Sequence, residues 1–207
     1  MIAPLVLVRA PARVREFGVV VDRAAASLPV DTAVRDQQVV IVNAPSFFVS
    51  VFGRLIQGLR GLPVPARVLV LGSGIHPIEV VRLDDRSILV RPEGGFLALP
   101  GSPRPGHEAT QPAFDVRYLF QLLDRLYRDT SLMRRGEQIE LTGVTVEVEA
   151  VTPDGRPAGV SFRFDRRVDD PSLRWLRWQH GVYVPFTIPA VGETVTLPAV
   201  TVPFSLS

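Results

Sequence analysis

The residues of this chain best able to do chemistry are two serines, an asparagine and a histidine: Ser46, Ser73, Asn43 and His76. Ser46 lies in QVVIVNAPSFF (Gln38–Phe48), just past an apolar run. A nucleophilic serine needs a base within hydrogen-bond reach. The chain has three histidines, His76, His107 and His180, and His76 follows the glycine turn Gly72-Ser73-Gly74. Ser46 with His76 is the one acyl-transfer pair that can be assembled from the sequence. It comes without a G-x-S-x-G elbow and without an acid placed to orient the imidazole. A second chemistry needs only Asn43, Ser46 and Ser73. At the carboxyl ends of neighbouring strands, with free amides at a helix start, they would hold an anion or small ligand. The same residues serve a strand-to-helix turn with no function attached, Asn43 ending the strand and Ser46 capping the helix.

Other candidates resolve toward structure. Asp165, Asp169 and Asp170 cluster as metal-binding carboxylates do, but their spacing fits no calcium loop, and Arg166 and Arg167 point to surface salt bridges instead. Gly72-Ser73-Gly74 precedes another strand, whereas a dinucleotide fingerprint opens a helix; a P-loop needs a lysine, and the chain has none. Arg174-Trp175-Leu176-Arg177-Trp178 mixes arginine with aromatics, yet a formal net charge of +2 is no basic surplus for nucleic acid. The reading therefore includes no metal, cofactor, nucleotide or nucleic acid.

The elements that position these residues follow from periodicity. Val14, Phe17, Val21, Ala24 and Leu28 repeat at helical spacing until Pro29, and Val30–Asp36 reads as a linker. Val39–Val42 is a doubly covered strand. The next helix puts Phe48, Phe52, Leu55 and Leu59 toward the core with Val51 and Ile56, and turns Ser50, Gly53, Arg54, Gln57 and Gly58 away. With Arg67–Leu71 as a second strand, this is a βαβ unit. Hairpin strands Ile78–Leu83 and Ser87–Arg91 flank Asp84-Asp85-Arg86. A Pro/Gly-rich loop (92–111) and a helix over Phe114–Arg128 come next. Strands are expected at Gln138–Leu141, Thr145–Val151, Ala158–Phe164, Leu173–Trp178, Val182–Phe186 and Thr194–Leu197, with hairpin turns at Asp154-Gly155 and His180-Gly181.

Composition sets the context. With 207 residues, 46% hydrophobic and 21% charged, the chain can bury a sizeable core. All 23 basic residues are arginine, which reads as coding bias. The absence of cysteine removes disulfides and thiolate chemistry. The apolar run Ile2–Val8 is interrupted by Pro4 and falls short of the roughly 18 residues of a membrane span. It reads as a packed terminal element or the stump of a longer membrane helix.

The run VTVEVEAVTPDGRPAGVSFRFDRRVDDPSLRWLRWQHGVYVPFTIPAVGETVTL, with VVIVNAPSFF and VRPEGGF upstream, resembles the C-terminal soluble domain of uncharacterised bacterial multi-pass membrane proteins. The resemblance covers roughly residues 20 to 200, carries no activity to transfer, and implies an extramembrane setting. The stretch from Gly95 to Arg134 is longer here than in that pattern.

These observations combine into an α+β chain. Residues 1–34 form an N-terminal helix and linker. Residues 35–111 form a βαβ-plus-hairpin part, and residues 112–207 a connecting helix with an antiparallel sandwich or half-barrel. The leading expectation is a non-catalytic interaction module of a membrane-associated protein, engaging a protein partner or its own membrane-spanning region. The alternatives are a hydrolase using Ser46 and His76, a small-ligand or anion binder at Asn43–Ser46, and a cytoplasmic setting.

Overall fold

The β-branched run after Gln37 becomes strand β1, Gln38–Ile41, in a computed structural model that describes residues 18–45, 47–96 and 133–200. Val39, Val40, Ile41 and Val42 are fully buried, as expected of a strand covered on both faces. The chain is mixed α+β, with two open sheets. It divides into two units, each described here by itself: residues 1–74, 170–187 and 200–205, and residues 75–169, 188–199 and 206–207.

In the first unit, helix α1 covers residues 18–27, and a 3-10 turn, Thr32–Asp36, leads into β1. The expected linker is thus an ordered plug. Val34 is fully buried, and its carbonyl accepts the amides of Gln37 at 3.1 Å and Ala66 at 3.3 Å. Helix α2 spans Phe47–Leu59 and β2 spans Arg67–Val70; β1 and β2 pair in parallel, so the βαβ unit is present. Two further strands, β8 (Leu173–Gln179) and β9 (Val182–Pro185), complete a four-stranded sheet in the order β2-β1-β8-β9.

That membership differs from the sequence expectation, which put β8 and β9 in the antiparallel part. Strand β8 runs parallel to β1, Val40 facing Trp175. Leu173, Trp175, Leu176 and Trp178 are all buried, so β8 is apolar on both faces, as an interior parallel strand must be. Arg174 is held by Asp31 through paired guanidinium–carboxylate bonds, and this holds the Asp31 carboxyl below its ordinary range. The β8–β9 hairpin turns at His180 (φ 51°) and Gly181 (φ 84°), and left-handed backbone at both positions is what a two-residue type I′ turn demands.

The second unit is a six-stranded sheet, β10-β3-β4-β7-β6-β5, with every pairing antiparallel. Its strands are β3 Ile78–Arg82, β4 Ser87–Pro92, β5 Gln138–Leu141, β6 Val144–Val151, β7 Pro157–Phe164 and β10 Thr194–Leu197. The β3–β4 hairpin, expected beside the βαβ unit, pairs with β7 instead. β4 lies inside the sheet between β3 and β7, and Ser87, Ile88, Leu89 and Val90 are all buried there. In β6, Val144 and Val148 are buried, while Thr145 meets Glu140, and Glu147 meets Gln138 at 2.8 Å. One face is apolar and the other polar. The sheet is open and does not close into a barrel. The Asp165–Asp170 cluster forms ion pairs: Arg167 bonds Asp169 at 2.9 Å and Asp85 at 2.7 Å, and Arg166 bonds Asp165 at 2.8 Å. The expected helix over Phe114–Arg128, His107, and most of the Pro/Gly loop lie outside the described residues.

Candidate functional site

Asn43 follows β1 and is 2% exposed. Its side chain extends the β1–β8 ladder: Oδ1 accepts the Trp178 amide at 2.8 Å and Nδ2 donates to the Trp178 carbonyl at 3.3 Å. Both ends of the amide are committed to backbone, which is the structural use of an asparagine at a strand end. The turn beyond is laced to the segment after β2. Ala44 bridges Ser73 in parallel, the Ala44 amide donates to Gly72 at 3.0 Å, and the Gly74 amide donates to Ala44 at 2.7 Å. Ala44 is fully buried, and a Cβ on Gly74 would sit 3.0 Å from the Val200 methyls and 3.3 Å from Asn43 Cβ. The Asn43–Ala44 end of the turn is therefore closed by packing. Ser73 Oγ is enclosed there, with no hydrogen-bond partner among the described residues. Ser46 lies outside the described residues, and His76 belongs to the second unit. Asn43 and Ser73 come together through the Ala44–Ser73 bridge.

The feature that sequence reasoning missed lies on α2. Ser50 and Gln57 face inward, whereas Phe52, Leu55 and Leu59 face outward. Val49 is 1% exposed, Ser50 3% and Gln57 0%, whereas Phe52 is 39%, Leu55 53% and Leu59 79% exposed. The cause is the end of α1. Pro29 stops that helix and leaves carbonyls in need of donors. Gln57 Nε2 reaches the Leu28 carbonyl at 3.3 Å and the Pro29 carbonyl at 3.4 Å. Gly53 allows the helices to approach: a Cβ there would stand 3.3 Å from Leu28 Cδ1 and 3.6 Å from the Ala25 nitrogen. Ser50 Oγ and Tyr183 Oη share a hydrogen bond at 2.9 Å. Burial pushes the Tyr183 hydroxyl up to about 12, with the Ser50 bond pulling the other way. Phe52, Leu55 and Leu59 are left to solvent, and Leu62 just beyond the helix is 39% exposed.

Between this side of α2 and strand β2 runs a groove of about 700 Å³. Leu55, Leu59, Val64, Val68 and Val70 supply apolar walls, and Arg54 the charge. Val68, Leu69 and Val70 all touch it. Consecutive strand residues point to opposite faces, so a groove reached by all three lies along the strand's edge. That edge is open: β2 ends the sheet order, and among the described residues no strand pairs with its outer side. Arg54 makes no ion pair or hydrogen bond among the described residues, and the segment from Gln37 to Ile78 contains no aspartate or glutamate. An open edge, an apolar wall and a lone cation together are able to hold another molecule without reacting with it. Comparison with known proteins gives no match for the chain to a family profile, a curated sequence or a solved structure.

Proposed function

We propose that this chain is a non-catalytic interaction module of a membrane-associated protein, and that the outward side of α2 is its docking face. The observation that carries the reading is the orientation of α2. A helix with Phe52, Leu55 and Leu59 in solvent and Gln57 buried leaves an apolar face that soluble surfaces rarely expose without use. The membrane setting rests on the resemblance of the chain's pattern to extramembrane domains; among the described residues no helix is long and apolar enough to cross a membrane. Asn43 is 2% exposed and bonds the Trp178 backbone with both its oxygen and its nitrogen, which supports a structural use over a ligand-binding one. The acyl-transfer reading with Ser46 and His76 gains no supporting geometry and is not advanced.

The test is site-specific photo-crosslinking in the cell of origin. A photoreactive residue replacing Leu59 yields an adduct of discrete size, and Leu55→Asp abolishes it. The same residue replacing exposed Glu140 of β5 yields none. Equal labelling from both positions, or none from either, overturns the reading.

A further inference from the structure

We infer that the α2–β2 groove takes an extended, aliphatic segment of a partner protein by strand addition to β2, with an acidic side chain of that segment meeting Arg54. The inference rests on the interaction-module reading and names the kind of partner.

The backbone supplies the first argument. The Leu71 amide donates to Ile41 at 2.8 Å toward β1. Alternate residues of a strand direct their amides to opposite edges, so the N–H and C=O groups of Val68 and Val70 point away from β1 into the groove. Strand β2 has no proline or bulge, and past Arg67 at its start the edge from Val68 to Val70 carries no charge. An incoming strand completes those hydrogen bonds and seats every second side chain beneath α2, against Leu55, Leu59 and Val64.

Size supplies the second. The α2 wall from Ser50 to Leu59 is about 14 Å long at the helical rise per residue. Four residues of extended chain span about 13 Å. The groove thus has the length of one short strand, whereas an interface between two folded copies needs about 800 Å² from each partner.

Charge supplies the third. Arg54 lines the groove, and among the described residues no acid neutralises it. A second copy would bring a second Arg54, whereas a partner carboxylate turns the lone cation into a charge-assisted pair.

The experiment follows backbone amide exchange in the full chain by NMR. The probe is a capped heptapeptide in which valine alternates with threonine and one valine position is glutamate. Saturating peptide slows exchange of the Val68 and Val70 amides at least tenfold, and Arg54→Gln weakens its binding by about tenfold, as loss of about 1.4 kcal/mol does. A proline at the peptide's centre abolishes both effects. Slow exchange of the two amides without peptide, independent of protein concentration, means that the chain covers its own edge and overturns the inference. Slow exchange that grows with protein concentration assigns the groove to a second copy and overturns it equally. No protection by peptide, with the Leu59 photo-adduct still formed, removes strand addition while leaving the interaction module standing. Loss of both removes both.

Discussion

The two units solve the same problem, burying apolar surface, under different local rules. In the six-stranded sheet, β6 follows its own alternation. Val144 and Val148 go inside, Glu147 and Glu149 bond neighbours at the surface, and the pattern of two holds because one face is wet. In the mixed sheet the orientation of α2 is set by a neighbour. The broken end of α1 presents the Leu28 and Pro29 carbonyls, and the buried Gln57 amide donates to both. A buried carbonyl without a partner costs about 1–3 kcal/mol. Rotating α2 to bury Leu55 and Leu59 would incur that cost at Leu28 and Pro29 and would break the Gly53 contact with Leu28. Hydrophobic pattern governs where backbone groups satisfy each other within a ladder. It yields where one element must complete another.

The largest test of this contrast removes a completing side chain. Asn43→Ala deprives the buried Trp178 amide of its acceptor and lowers stability by about 2–3 kcal/mol in urea unfolding at pH 7. Thr145→Ala on the wet face of β6 changes it by less than about 0.5 kcal/mol. Equal effects would mean that the mixed sheet gains nothing from its polar stitches.

Next is the orientation of α2 itself. Val49→Ala costs about 1.5–2.5 kcal/mol for lost burial and the space left behind, while Leu59→Ala, on the larger residue, stays within about 0.5 kcal/mol. The reverse order would restore the orientation expected from the apolar stripe.

Tyr183 gives a smaller, pH-dependent effect confined to the first unit. Its hydroxyl is raised from 10.0 to about 12 by burial, so the neutral form stabilises the fold fully below pH 10. That contribution is lost as pH rises from 10 toward 12, because the unfolded chain ionises first. Thermal unfolding of Tyr183→Phe shows a shallower decline across that window, and an unchanged slope would refute the assignment.

The smallest effect belongs to the second unit. Asp169 is lowered from 3.8 to about 2, chiefly by its hydrogen bond to Arg167. Its contribution is present above pH 3.8 and disappears as pH falls toward about 2. Because both groups are exposed, Asp169→Asn lowers the melting midpoint by a small, salt-sensitive margin at neutral pH, and the margin closes in acid. A margin that persists at pH 2 would mean the pair acts through something other than charge.

The sequence by itself determined the strands, the hairpin turns and the βαβ unit. The β-branched run at Val39–Val42, the alternation in VTVEVEAV and the left-handed pair His180-Gly181 each carry their conformation locally. It also placed Asn43 at a strand end, with its structural use already open as one reading. Only the tertiary structure decided which strands share a sheet. The LRWLRWQ strand returns to β1 across more than a hundred residues because both of its faces are apolar, and the hairpin of β3 and β4 joins β7 through β4. Only the tertiary structure, too, turned α2 outward. Gln57 is polar by any residue scale, and nothing local in the chain states that a helix ending at Pro29 will stand against it. The candidate docking face exists because a distant backbone demand outweighed a local hydrophobic pattern.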